Sequence, residues 1–456
     1  MNKPLNVLIM AAGLGTRMKS GRAKVLHELG GSPLIAHVVR AAQALDPRSI
    51  VVVVGHQAEE VEQAVLAEVG GLASFVIQAK QRGTGDAVES ARNVLEKSDS
   101  LVLVLSGDVP MIKIETLKNL IEQHNAAGAA CTILSVRLEN PTHYGRIIRD
   151  ANDSFRKIVE ARDANEEERQ VKEINSGIYC FEARDLFQAL RKVEPANDQG
   201  EYYLTDVPGI ILSSGGTVSV YLHNDAREVY GVNTRAELAE FENLLRRSTI
   251  RRLMTESGVT FIDPSHAYVS VEAQVGRDSI IHPNVTIEGK SIIGEGCVIR
   301  TGARITNSRL GDGVVVKDHS VIVDSDVGEN CSIGPFAHLR MNAMLEDKAA
   351  VGNFVEVKKS RLKRGTKAMH LTYLGDATIG ERTNIGAGTV TCNFDGTHKH
   401  ETIIEDDVKV GSDTMLVAPV CVGARSVTGA GSVVTKDVPP DSLVAGVPAE
   451  IKKKLK

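Results

Sequence analysis

The sequence predicts two folds in one chain, an α/β domain with a mainly parallel sheet and then a parallel β-helix. Three observations predict this. Short apolar runs alternate with helical patterns through residues 1–230. One long helical pattern follows. Then a single aliphatic residue recurs every six positions almost to the end. The 456 residues are too many for one ordinary core, so two or three domains are expected.

In the first part, NVLIM (6–10), SIVVVVG (49–55), FVIQ (75–78) and SLVLVLSGD (100–108) are β-rich runs. Around them lie PLIAHVVRAAQAL (33–45), QAEEVEQAVLAEV (57–69), TGDAVESARNVLEK (84–97) and KIETLKNLIEQHN (113–125), which carry helical patterns. Near-continuous apolar strands alternating with helices predict a sheet covered on both faces. Such sheets bind ligands beyond the carboxyl ends of their strands. MAAGLGTRM (10–18) and SGDVP (106–110) both fall there.

Residues 234–256 read as one helix, with Leu238, Phe241, Leu245 and Leu253 near helical spacing. It would span roughly 35 Å and is expected to be an interdomain strut. The spacing then changes to six. Val269, Val275, Ile281, Ile287, Ile293, Ile299 and Ile305 run without a break. Small or modest residues (Ala273, Ser279, Val285, Ser291, Cys297, Ala303) accompany them. After a slip come Leu310, Val316 and Ile322, then Val327, Ile333, Leu339, Leu345, Val351 and Val357. Later members are Leu362, Leu374, Ile379, Ile385, Ile404, Val410, Leu416, Val422 and Val434. No helical period produces this series; it is the signature of a parallel β-helix, whose rungs lack a core until stacked. CNFDGTHKHET (392–402) fits no rung and is expected to be a loop on one face. The expected domains are therefore 1–230, a linker helix at 231–256, a β-helix at 257–437 and a turn-rich, then basic tail at 438–456.

Composition excludes several classes. A net charge of −5, only 4% aromatics and no tryptophan disfavour a nucleic-acid surface or a base-stacking module. No run reaches the ~18 apolar residues of a membrane span, and the N-terminus is too short for a signal peptide. The six cysteines (131, 180, 297, 331, 392, 421) lack C-x-x-C spacing, as expected of reduced thiols in a cytosolic protein rather than a disulfide frame or zinc site.

MAAGLGTRM is a glycine-rich turn after a strand, a phosphate-binding pattern. The dinucleotide fingerprint fails because Met18 stands at its third glycine, and the Walker spacing is absent. The turn Ala11-Ala12-Gly13-Leu14-Gly15-Thr16-Arg17-Met18, followed by Lys24, Gln81-Arg82-Gly83-Thr84-Gly85 and Gly107-Asp108, resembles the sugar nucleotidyltransferases. Singly, these residues also suit a structural turn, a surface charge or, for Asp108, a helix cap. In that family a sugar 1-phosphate attacks the α-phosphorus of a nucleoside triphosphate and expels pyrophosphate. Such chemistry needs positioning and charge neutralisation. Glycines admit backbone N–H groups to phosphate oxygens, Arg17 offers a bidentate contact and Lys24 a point charge. Asp108 is a hard oxygen ligand for Mg²⁺, and the resemblance pairs it with Asn233 in GVNTR.

Along nearly its whole length the chain resembles bacterial bifunctional enzymes that fuse an N-acetylglucosamine-1-phosphate uridyltransferase to a glucosamine-1-phosphate N-acetyltransferase. HYGRIIR (143–149), IVEARDA (158–164), EINSGIY (173–179) and QGEYYLTD (199–206) carry this in the first part. FAHLR (336–340), GNFVEVKKS (352–360), MHLTYLGD (369–376), ERTNIGAGTVTCNFDG (381–396) and VGSDTM (410–415) carry it in the second. The resemblance implies a Rossmann-like nucleotidyltransferase domain followed by a left-handed parallel β-helix of hexapeptide repeats. It implies that Met10, Ala11, Ala12, Gly13, Lys24, Gln78, Gly83, Thr84, Gly145, Glu160, Asn175 and Asn233 bind UTP or the UDP-sugar. Of these, Gln78, Gly83 and Thr84 would meet uracil, and Gly145, Glu160 and Asn175 the amino-sugar. Arg17 and Lys24 would be catalytic, with Mg²⁺ on Asp108 and Asn233.

For the second activity, His370 would be the base for direct acetyl transfer from acetyl-CoA to glucosamine 1-phosphate. Arg340, Lys358, Tyr373 and Asn384 would hold the amino-sugar phosphate. Ala387, Asn393, Phe394, Ser412 and Ala430 would contact acetyl-CoA. The resemblance further implies a cytoplasmic homotrimer serving peptidoglycan and cell-wall synthesis, with small-molecule substrates, no nucleic acid and no membrane span. The chain departs from the family pattern at Leu14, Ala23, Ser106, Met341-Asn342 and Phe394. Its tail lacks a CoA-phosphate arginine, which leaves Lys452, Lys453 and Lys454 as the basic residues there. Two other readings stay open: a single-activity sugar-1-phosphate nucleotidylyltransferase with a β-helix used only for trimerisation, and a non-catalytic regulatory subunit. Arg17, Lys24 and Asp108 count against the regulatory subunit; His370 and the 392–402 loop count against the single activity.

Overall fold

The computed structural model describes residues 3–96, 99–197 and 199–455. Lys97, the last residue of one predicted helix, lies outside them, as do Met1, Asn2 and Lys456 at the ends of the first domain and the tail. The chain forms two compact units, Met1–Glu242 and Asn243–Lys456. The division falls inside one helix, Arg235–Thr255, at nearly the bounds its spacing predicts.

The first unit is built on a nine-stranded sheet. Its strands are β1 (Leu5–Met10), β2 (Ser49–Val54), β3 (Ala73–Ile77), β4 (Leu101–Ser106), β5 (Cys131–Arg137), β6 (Arg146–Arg149), β7 (Phe155–Val159), β8 (Glu173–Glu182) and β9 (Val218–His223). The order is β9-β5-β8-β4-β1-β2-β3, with β6 and β7 attached beside β8. The four strands legible in the sequence, β4-β1-β2-β3, pair in parallel. Beyond them β8 runs antiparallel between β4 and β5, so the sheet is mixed at that side.

Alternate residues of the central strands enter opposite cores. Val7, Ile9, Val52 and Val54 pack with Val38 and Val39 of helix α1 (Leu34–Gln43), Val61 and Val65 of α2 (Ala58–Val69), and Leu117 and Leu120 of the helix Ile114–Ala127. Leu8, Val51 and Val53 pack on the other side with Val88 and Leu95. Both faces are therefore covered, as continuous apolar strands require. The predicted helix at 84–97 is broken into α3 (Thr84–Glu89) and α4 (Arg92–Leu95). Ser90 turns its hydroxyl back onto the Asp86 carbonyl at 2.9 Å, a competition that bends helices.

From β1 the chain moves outward to β2 and β3 and then returns to β4 on the other side of β1. Met10 and Ser106 are thus register partners where the strand order reverses. Such a switch point opens a crevice at the strands' carboxyl ends.

In the second unit three six-residue repeats make one coil. Val269 pairs onward to Ile287 and Ile305, Val275 to Ile293 and Leu310, and Ile281 to Ile299 and Val316. All these ladders are parallel, giving three faces of a β-helix, and every aliphatic residue of the predicted series is buried inside. Two longer strands, Ala350–Lys358 and Lys367–Gly375, pair from end to end. The predicted loop lies between the strands Val390–Cys392 and Thr402–Ile404, so Cys392 and Thr402 belong to rungs. The tail is more ordered than predicted: Ser442–Ala445 and Glu450–Lys454 form an antiparallel hairpin. Among the described residues no helix is long and apolar enough to cross a membrane.

Ile305 is fully buried in this core, whereas Arg309 faces out. Ile305→Ala should cost about 2–5 kcal/mol of unfolding free energy, the loss of transfer energy plus a cavity. Arg309→Ala should stay within about 0.5 kcal/mol of the parent. Denaturant titration followed by circular dichroism reads both, and equal losses would contradict an inward register.

Candidate functional site

A cavity of about 480 Å³ opens at the carboxyl ends of β1 and β4. Met10, Ala11, Ala12, Gly13, Lys24, Gln78, Gly83 and Thr84 all line it, with Gln81, Ser106, Asp108 and Glu201. Gly15 is left-handed at φ 61°, and a Cβ there would stand 2.6 Å from the Lys24 Cβ. Only glycine lets the turn close over the lysine stem. Gln78 donates to the Gly83 carbonyl at 3.1 Å and to Asp86 at 2.9 Å, and Gln81 donates to the Ala12 carbonyl at 2.7 Å. The two glycine-bearing segments are thereby tied into one wall.

Charge gathers at the edge of this cavity. The Lys24 ammonium pairs with Asp108 Oδ2 and donates to Asn233 Oδ1 at 3.0 Å. Arg17, exposed and outside the cavity wall, donates to the same Asn233 oxygen at 2.9 Å. Ser106 donates to Asp108 Oδ1 at 2.6 Å. Burial alone would push the Asp108 carboxyl up; the Lys24 charge and the hydrogen bonds from Lys24 and Ser106 outweigh it and hold the carboxyl below its ordinary range.

These residues fit a hard divalent cation. Asp108 Oδ2 and Asn233 Oδ1 already converge on one positive group, the ammonium, and carboxylate and amide oxygens are the donors Mg²⁺ takes. Among the described residues no group of three or more His, Cys, Asp and Glu side chains gathers to hold a metal. A cation here would complete its shell with phosphate oxygens and water.

Gly145, Glu160 and Asn175 also meet, though outside the first cavity. The Asn175 N–H donates to the Gly145 carbonyl at 2.9 Å, and a Cβ on Gly145 would stand 3.5 Å from Glu160 Oε2. Asn175 donates to the Tyr179 hydroxyl at 2.7 Å. Glu160 borders a second cavity of about 290 Å³ with Asp163, Tyr203, Thr205 and Asp206. Burial is the main influence on the Glu160 carboxyl and pushes it up, opposed by the Thr205 hydroxyl at 3.1 Å.

On the β-helix, His370 is exposed and sits beside Asn353 on the adjoining coil, its register partner. His370 Nδ1 lies 2.8 Å from Asn353 Oδ1. An amide oxygen only accepts, so Nδ1 carries a proton, and in the neutral ring Nε2 is the nitrogen with the free lone pair. Arg340, Lys358 and Tyr373 follow on one face over successive coils: Arg340 is opposite Lys358, and Glu356 opposite Tyr373. Arg340 is paired with Glu356 at 2.7 Å. Buried Lys358 lies 3.9 Å from Asp376, whose carboxylate also accepts from Asn393 at 2.6 Å. Asn393 is thus buried within the wall, while Phe394 is exposed at the loop. Asn384 is exposed between Lys367 and Lys409 on its face.

Ala387, Ser412 and Ala430 line up along one edge. Asp413 N–H donates to the Ala387 carbonyl at 2.6 Å, and Gly431 N–H to the Ser412 carbonyl at 2.8 Å. Cys392 is half-buried and burial pushes its thiol up, which disfavours a nucleophilic thiolate. Three residues that the sequence reading left without a role complete the sites: Asp86, Ser106 and Asn353. Ser106 stood out as a departure from the family pattern; Asp86 and Asn353 carried no separate signal.

Comparison with known proteins places this geometry in context. A model of the MobA-like NTP transferase domain matches residues 7–198, and a model of the GMPPB C-terminal domain matches residues 264–359. A relative from Heliobacterium modesticaldum, named "Bifunctional protein GlmU", is 47% identical over 96% of this chain and 94% of its own length. Proteins of the same name from Syntrophomonas wolfei and a Geobacillus species are each 45% identical over 96% of this chain, covering 96% and 94% of their own lengths.

The raised Glu160 carboxyl has a consequence for stability. A group whose folded pKa lies above its unfolded value of about 4.3 contributes fully below that value and loses the contribution as pH rises through the folded pKa. Charged Glu160 therefore destabilises the fold at neutral pH. Glu160→Gln should raise the melting temperature at pH 7, and the gain should shrink as pH falls toward about 4. Melts followed by circular dichroism between these values read the effect; a lowered melting temperature at pH 7 would refute it.

Proposed function

The chain belongs to the bifunctional GlmU family, and from that premise we propose that it makes UDP-N-acetylglucosamine by two transfers at two separate sites. The observation that carries this reading is the gathering of Lys24, Asp108, Arg17 and Asn233 at the edge of the cavity that eight proposed UTP-binding residues line.

In the first transfer, the amine of glucosamine 1-phosphate attacks the thioester carbonyl of acetyl-CoA. The new C–N bond forms and the amine proton passes to His370 Nε2; the C–S bond breaks, and coenzyme A leaves as a thiolate that takes that proton to become the thiol. Asn353 supports this role by fixing the tautomer that leaves Nε2 basic. Arg340, Lys358, Tyr373 and Asn384 hold the sugar phosphate. Ala387, Asn393, Phe394, Ser412 and Ala430 form the acetyl-CoA surface, with Asn393 acting from inside the wall through Asp376.

In the second transfer, a phosphate oxygen of N-acetylglucosamine 1-phosphate attacks the α-phosphorus of UTP and pyrophosphate leaves. Lys24 and Arg17 supply fixed positive charge to the phosphates, and Gln78, Gly83 and Thr84 hold uracil. Gly145, Glu160 and Asn175 recognise the amino-sugar. Asp108 and Asn233 would hold Mg²⁺, which neutralises phosphate charge when bound.

The enzyme acts in the cytoplasm and supplies peptidoglycan synthesis. It works as a homotrimer through its left-handed β-helix. In support, Phe336, Phe354 and Leu371, exposed by 48%, 57% and 64%, stand on successive coils near His370. The two phenylalanine rings stack 5.4 Å apart. An apolar row of this kind suits a second copy of the chain.

The test follows thiol release from acetyl-CoA and pyrophosphate release from UTP separately. His370→Ala should cut thiol release by roughly 10²–10⁴-fold and leave pyrophosphate release intact. Asn353→Ala should cut thiol release by about tenfold, a smaller loss because the base survives. Asp108→Ala should abolish only pyrophosphate release. Thiol release unchanged in His370→Ala would overturn the assignment of the base.

A further inference from the structure

We propose that Asp108 divides its two oxygens between a fixed partner and an exchanging one. Ser106 holds Oδ1 throughout, and Oδ2 passes from the Lys24 ammonium to the divalent cation as nucleotide binds. Ser106 is then a positioning residue, and Lys24 is an internal counter-ion that the cation must displace. The inference rests on the nucleotidyltransferase reading for the identity of cation and nucleotide.

The geometry separates the two roles. Ser106 ends β4, and its hydroxyl reaches Oδ1 at 2.6 Å. Lys24 instead sits on Oδ2 and lies 3.0 Å from Asn233 Oδ1. These are the two oxygens that converge. A divalent cation held by both atoms would need the space that the ammonium now fills, since both oxygens already face Nζ. Two cations do not share that space, and Nζ has to leave.

Lys24 has somewhere to go. It lines the same cavity as Gly13 and Thr16, and its flexible stem can carry the ammonium to a triphosphate there. A triphosphate offers more negative charge than one carboxylate. Ser106 has no reason to move, because it binds the other oxygen. The carboxylate is also backed by Gly231, where a Cβ would stand only 3.2 Å from Oδ2, and the Asp108 carbonyl accepts from Val232 N–H at 2.9 Å. With Lys24 gone, Ser106 is the side chain that stops the carboxylate from turning. Cation and nucleotide affinities are then coupled, each raising the other.

The test uses Mn²⁺ alone, titrated into the full-length chain and followed by loss of the free-ion electron paramagnetic resonance signal. Lys24→Met should bind Mn²⁺ at least tenfold more tightly than the parent. Adding Ser106→Ala to Lys24→Met should weaken binding at least fivefold, and Ser106→Thr in its place should not. Lys24→Gln stands in if the methionine variant melts below the parent. Binding by Lys24→Met no tighter than the parent overturns the exchange; binding insensitive to Ser106→Ala overturns the clamp. Pyrophosphate release by the parent is read in parallel. A parent that releases none refutes the nucleotidyltransferase reading, whereas a working parent with unchanged Mn²⁺ binding in the variants refutes this inference alone.

Discussion

A buried carboxylate at a sheet's switch point needs a positive partner, and much of the first unit follows from meeting that need. Asp108 stands just beyond the end of β4, largely buried at the cavity wall. An unpaired charge there would be strongly destabilising. Lys24 supplies the partner and also reaches Asn233, so one ammonium joins segments that lie far apart in the chain. Gly15 is glycine because the lysine stem passes directly beneath it. The strand order puts Met10 next to Ser106, which brings the glycine turn to the carboxylate. Turn, lysine and carboxylate form one arrangement, and each would be strained or unpaired without the others.

The second unit answers to register instead. Each coil is too thin to bury anything alone, so its stability comes from stacking inward aliphatic residues on those of its neighbours. A slip of one residue would turn that whole series outward. The inward positions are therefore fixed, and His370 and Asn384 stand exposed outside that series. Stacking then becomes an asset. Residues about one coil apart in sequence are neighbours in space, so Asn353 meets His370 and Arg340 meets Lys358 across single ladders. The loop after Cys392 interrupts the sequence series without breaking the ladders, since Ala377 pairs with Thr402 and Ile379 with Ile404 beyond it.

This explains what was legible in the sequence. Period-six spacing survives as a pattern because every member meets the same inward environment, so the β-helix could be read rung by rung. The parallel strands β1 to β4 were legible because burial on both faces makes them continuously apolar. The antiparallel strand β8 was not, because Glu173, Asn175 and Ser176 interrupt its apolar run. The break at Ser90 was hidden for another reason: a serine in a helical pattern does not announce which carbonyl its hydroxyl will choose. In the sites, Lys24, Asp108 and His370 stood in recognisable motifs. Asn353 and Asp86 act only through partners that folding supplies, and single residues without a pattern give no warning of that.

The two sites also solve the problem of charge in opposite ways. At the first, the groups that the proposed reaction has to stabilise are phosphates, whose negative charge is already present. Cationic side chains suit them, and Lys24 and Arg17 both stand at that edge on Asn233. At the second, the proposed base has to take up a proton and then release it. The partner of His370 is an amide, not a carboxylate. Asn353 accepts from Nδ1 without placing a negative charge beside the ring. A neighbour one rung away thus orients the ring of the proposed base without a charge of its own.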